Sequence, residues 1–182
     1  MSATNWTIVV VAVVVVIVAA VLIARPALRR QRLRRRFGPE YDRAVEQSDD
    51  RRGAEHELIE REHRHANLDL HELSAEQKQH YLMAWSGVQQ QFVDDPAGAV
   101  TAADRLVTTL MSERGYPSEN YDQQLADLSV EHTATLDHYR AAHSVATRPA
   151  AAQVSTEDMR AALVHYRVLV QDLIDSDHTD KK

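Results

Sequence analysis

The sequence predicts an all-α protein: an N-terminal transmembrane helix, a charged helical stalk and a small helical bundle. Three observations point there. The 182 residues hold only five glycines, at positions 38, 53, 87, 98 and 115, alongside abundant alanine, a balance that favours helix over sheet. Apolar residues in the second half recur every three or four positions, the period of one helix face. Ser, Asp, Gly and Pro stand where helices start and stop.

The transmembrane segment is Ile8 to Ala24, following a short flank of residues 1–7. It is an unbroken run of Val, Ile, Leu and Ala, and at ~1.5 Å per residue a helix of this length nearly matches a hydrocarbon core of about 30 Å. Trp6 and Thr7 complete the span at the interface. A valine-rich run in water reads as strand, but an open strand in lipid leaves its backbone unsatisfied, so helix prevails. No Lys or Arg precedes the run and no small-x-small site follows it before the arginines. The segment therefore reads as an uncleaved anchor rather than a signal peptide.

Residues 25–36 carry seven arginines and no acid: Arg25, Arg29, Arg30, Arg32, Arg34, Arg35 and Arg36. By the positive-inside rule they place the N-terminus outside the cell membrane and the C-terminal domain in the cytoplasm. They fall on all sides of a helix, as a collar, and a collar at this position attracts anionic lipid headgroups. Removing these seven charges from the overall −6 leaves −13 on the rest. So acidic a domain repels nucleic acid.

Gly38-Pro39 ends or kinks the arginine helix. Residues 37–67 read as a solvated, charged helical stalk, loosened around Asp49 to Gly53, with Glu57–Arg61 and Glu60–Arg64 in the favourable i,i+4 order. Val45, Ile59, Ala66 and Leu73 share a heptad phase, a weak coiled-coil signal because Arg52 takes the missing slot. The acidic helical domain covers 68–175. Ser74 and Gln77 form a capping box for a helix burying Tyr81, Trp85, Val88 and Phe92. Asp94-Asp95-Pro96 starts the next, with Val100, Ala103, Val107, Leu110 and Met111 inward. Gly115-Tyr116-Pro117 stops it. A third stretch, broken near Ser129, presents Tyr121, Leu125, Leu128, Leu136, Tyr139 and His143. Residues 147–154 form a linker. Ser155 and Asp158 cap a last helix with Met159, Leu163, Tyr166, Val170 and Leu173 inward, and a polar tail runs from 176 to 182. His-Tyr-Arg occurs at 138–140 and 165–167 without matching flanks, a coincidence or a sign of similar packing.

Catalytic chemistry finds little support. The chain has no cysteine, and its scattered glycines build no phosphate loop. Glu60 with His63 and Glu62 with His65 have the Glu-x-x-His spacing of di-iron bundles, but no second half-site accompanies them. No catalytic, cofactor or metal residues are expected, and no enzyme. The sequence points to a membrane-anchored cytoplasmic domain that binds another protein, still unidentified. A metal-binding or enzymatic bundle, and a regulator whose His-rich acidic surface senses pH or metal, are the alternatives.

From Arg36 onward the chain resembles a family of actinobacterial single-pass membrane proteins, sometimes labelled secreted. The resembling stretches are Arg36-Phe37-Gly38-Pro39-Glu40-Tyr41-Asp42, Trp85 through Phe92-Val93-Asp94-Asp95-Pro96, Arg114-Gly115-Tyr116-Pro117, Ala126-Asp127-Leu128-Ser129-Val130 and Ser155-Thr156-Glu157-Asp158. The resemblance implies a membrane protein. It brings no activity, cofactor or site, and a secreted domain would oppose the orientation set by the arginines.

Overall fold

The computed structural model describes residues 12–16, 25, 27–117, 120–148 and 154–176, and all regular structure among them is helical. Of the expected span 8–24, residues 12–16 are described; they are helical and exposed, with Val13 51 % and Val16 66 % accessible. The rest of the span, the flank 1–7, residues 149–153 of the linker and the tail from 177 lie outside the described residues. No helix among the described residues is long and apolar enough to cross a membrane.

The chain divides into two compact units, Met1–Ile59 and Glu60–Lys182. In the first unit α1 covers residues 27–37. Its arginines crowd an apolar stripe: Leu33 and Phe37 are buried, and so are Tyr41 and Ala44 in α2 (Pro39–Gln47). Leu33 and Phe37, four apart, share one side of α1, and Tyr41 and Ala44, three apart, share one side of α2. The arginines therefore occupy the exposed faces of a half-buried helix instead of encircling a free one. Gly38 joins the two helices at φ +50°, a left-handed value that suits glycine, and Pro39 opens α2, where its missing N–H costs nothing. Arg34 bonds Asp42 at 2.7 Å and lies 5.2 Å from the centre of the Tyr41 ring.

A break at 48–50 separates α2 from α3 (Arg51–Ala66). Asp50 caps α3 by accepting from the Gly53 N–H at 2.8 Å. The Tyr41 hydroxyl donates to Glu55 at 2.8 Å and ties α2 to α3. Ala54 and Leu58 are fully buried. The segment expected to be a solvated stalk thus carries its own buried face. That face runs through Ala54 and Leu58, out of register with the heptad of Val45 and Ile59.

The second unit begins inside α3, at Glu60 rather than at the boundary read from sequence at Leu68. His65, on its last turn, is buried and its ring centre lies 6.0 Å from that of Tyr116. The bundle continues with α4 (Ala75–Asp94), α5 (Pro96–Glu113), α6 (Tyr121–Glu131), α7 (Thr133–Ala146) and α8 (Thr156–Asp175). Helix α5 packs against α4, α7 and α8, and α7 packs most extensively against α8. The start signals take the expected form. Ser74 and Gln77 make both bonds of a capping box. Asp95 accepts from Gly98 N–H, and Ser155 from Asp158 N–H. Tyr81, Trp85, Val88, Val100, Ala103, Val107, Leu110, Met111, Leu128, Leu136, Tyr139, Leu163, Tyr166, Val170 and Leu173 form the core, with Phe92, Tyr121, Leu125 and Met159 packed at its edge.

Gly115 has φ +91°, and a Cβ there would sit 2.2 Å from the Asp69 carbonyl oxygen. Only glycine lets α5 end against that stretch of chain. The break in the third stretch falls at His132, three residues after Ser129, where His132 caps both α6 and α7.

Candidate functional site

The sequence singles out the seven arginines. Arg25, Arg29, Arg32, Arg34, Arg35 and Arg36 are exposed and Arg30 is half-buried. Two of them, Arg25 and Arg29, come together with Arg52, Glu55 and His56 of α3 around a cleft of about 720 Å³ in the N-terminal unit. The α3 residues were not legible as site residues, because nothing in the sequence says that α3 returns beside the arginine run. Arg34 is committed to Asp42 instead.

In the bundle, a shallow groove of about 180 Å³ lies between α4 and α8. Trp85, Gln89 and Phe92 line it from α4; Arg160, Leu163, Val164 and Arg167 line it from α8. The spacings of four and three on each helix put these residues on facing stripes. Trp85 is 6 % exposed, and its Nε1–H has no hydrogen-bond partner among the described residues. On the α8 side of the groove Val164 is 57 % exposed. Arg160 pairs with Glu157 and lies 5.8 Å from the centre of the Phe92 ring. Arg167 is exposed and has no acidic partner among the described residues. In an acidic domain this rim is locally cationic.

Three polar clusters hold the helices together. In the first, His132 Nδ1 lies 2.7 Å from Asp172, Thr135 donates to the same carboxylate at 2.7 Å, and His132 Nε2 lies 3.2 Å from the Tyr116 hydroxyl. Burial pushes Asp172 upward, but the bonds from His132 and Thr135 and the nearby Arg114 outweigh it and hold the carboxyl below its usual range. Arg114, fully buried, donates to the Leu173 carbonyl and to Ser176, anchoring the end of α8. The order of carboxylate, imidazole and hydroxyl suggests nucleophile activation. Yet Tyr116 and His132 are each 3 % exposed, and burial drives the phenol pKa upward, away from the reactive anion. Through Asp172 the cluster ties His132 and Thr135, at the α6–α7 junction, to α8.

In the second, Asp104 accepts from Tyr166 at 2.5 Å and pairs with His143 Nδ1 at 2.8 Å. Desolvation raises this carboxyl, and the two hydrogen bonds more than offset it, leaving it below the usual value. Tyr121 stacks on His143 with ring centres 4.0 Å apart, and burial pushes its phenol up to about 12. In the third, His138 and His165 meet with their Nδ1 atoms 2.7 Å apart. The two His-Tyr-Arg motifs are thus packing counterparts: both tyrosines are buried, and the two histidines pair across α7 and α8.

No group of three or more His, Asp or Glu among the described residues is arranged to hold a metal ion. Of the two Glu-x-x-His pairs, His65 is buried 3.7 Å from Glu131 while His63 is exposed. No family model, curated protein or solved structure matches the chain.

Proposed function

We propose that the protein is a single-pass membrane protein whose helical bundle works in the cytoplasm as an interaction domain. The anchor is residues 8–24, and the seven arginines set its orientation and hold anionic lipid nearby. The groove between α4 and α8 carries the reading. It is too small for a cofactor, whose sites run to about 300–1,000 Å³, yet it joins an apolar floor to exposed Val164 and to an uncommitted Arg167. Such a surface suits an amphipathic helix with a large apolar anchor and flanking Asp or Glu. Steering by the domain's net charge favours basic partners in general; the groove rim selects an acidic segment locally. Tethering to the membrane raises the effective concentration of the domain for a membrane-bound partner.

The test is a photo-crosslinking amino acid at Val164 in the full-length chain in cells, with Ala141 on the exposed side of α7 as the control position. A discrete cross-linked protein at 164, absent at 141 and lost with Arg167→Glu, is the expected outcome. Equal products at both positions, or a product indifferent to Arg167→Glu, would count against the groove.

A further inference from the structure

The cleft in the N-terminal unit brings together residues that sequence keeps apart. Arg25 and Arg29 line it from the arginine run, Arg52 and His56 from α3, the latter pair four residues apart and so on one helix face. Arg25, Arg29, Arg52 and His56 are exposed, and the three arginines have no acidic partner among the described residues. Glu55 is the cleft's one lining carboxylate, and it already accepts from the Tyr41 hydroxyl. Three guanidinium groups against one carboxylate leave a local charge of about +2. Like charges gathered around one cavity repel unless an anion lies between them.

We propose that this cleft binds a phosphorylated lipid headgroup carrying two negative charges. Guanidinium forks match phosphate oxygens two at a time, so this chemistry uses the arginines fully. The cleft volume of about 720 Å³ exceeds what bare phosphate fills and accommodates a headgroup, the arginine stems forming its walls. The lipid as the source rests on the membrane reading above: Arg25 directly follows the expected span, at the depth where headgroups lie. The inference goes beyond a general attraction of the arginine run for acidic lipid, which rewards each charge alike. It assigns a stoichiometric site and gives two α3 residues a direct part.

The experiment uses the full-length chain in mild detergent, with bound lipid counted by native mass spectrometry. One probe is a lipid with two phosphodiesters in its headgroup; the other is phosphatidylglycerol, with one. One molecule of the first is expected to stay bound, in preference to the second. Arg52→Gln with His56→Gln should weaken it about tenfold or more, the loss of a charge-assisted hydrogen bond, while Arg51→Gln with His63→Gln, exposed on α3 outside the cleft lining, changes little. Inorganic phosphate at millimolar concentration should not displace the lipid. Equal retention of both lipids, or equal losses in the two double variants, would overturn the site. Displacement by inorganic phosphate would overturn the lipid source. Membrane extraction by alkaline carbonate separates these failures from that of the anchor: release of the chain would refute the membrane reading, whichever lipid bound.

Discussion

Tyr166→Phe isolates one hydrogen bond in the bundle. The ring is fully buried in the core and Phe keeps it; only the hydroxyl that donates to Asp104 at 2.5 Å is lost. A hydrogen bond to a charged group contributes ~1.5–3 kcal/mol. The Asp104 side chain is 24 % exposed and retains His143 at 2.8 Å, so water and His143 compensate in part, and the lower end, ~1.5–2 kcal/mol, applies. At roughly 4 °C per kcal/mol for a unit of this size, the melting temperature should fall by roughly 6–8 °C. The pH dependence carries a sign. Asp104 titrates below its unfolded value of 3.8, so its bonds stabilise the fold above that pH and lose their effect as pH falls through the lower folded value. The gap between wild type and Tyr166→Phe should therefore narrow in acid. Thermal melts at neutral and acid pH, combined with Asp104→Asn in a double-mutant cycle, measure it. A variant within about 0.5 kcal/mol of wild type, or a loss that persists undiminished in the Asp104→Asn background, would refute the reasoning.

Gly115→Ala should cost ~1–3 kcal/mol for the left-handed backbone alone, and more for the clash with the Asp69 carbonyl; a wild-type denaturation midpoint would show that the turn relaxes freely. Trp85→Ala, at a core position 6 % exposed, should destabilise the bundle by roughly 3–5 kcal/mol, and iodide should quench native Trp85 fluorescence poorly; strong quenching would contradict its burial. Burial and the neighbouring His138 hold His165 below its ordinary 6.5, so the unfolded chain gains a proton there first and stability drops as pH falls below about 6.5. His165→Asn should flatten that part of the stability profile, and an unaltered slope between about pH 5 and 7.5 would exclude the histidine pair as its source.

The helices of the bundle were legible where sequence carries both a start signal and a face. For α4, α5 and α8, Ser74, Asp95 and Ser155 mark the first turns, and apolar residues three and four apart mark what is buried. The N-terminal unit hid its core because Leu33, Phe37, Tyr41 and Ala44 sit among arginines and acids, so charge density masked a regular spacing. Ala54 and Leu58 are only two apolar positions, too few to reveal that α3 has a buried side. The break at His132 lacks Gly or Pro; tertiary bonds to Asp172 and Tyr116 fix it there. The burial of Arg114 and His65, and the pairing of Arg25 and Arg29 with Arg52 and His56, depend on partners distant in sequence, which local periodicity does not encode.

The absence of native cysteine makes the anchored topology directly measurable. Single cysteines placed at Ser2 and, separately, at Ser144, an exposed position on α7, are labelled in intact cells with a membrane-impermeant maleimide. With no basic residue before the span and seven arginines after it, the account predicts labelling at position 2 and none at 144 until the membrane is permeabilised. Labelling at 144 but not at 2 in intact cells would contradict it.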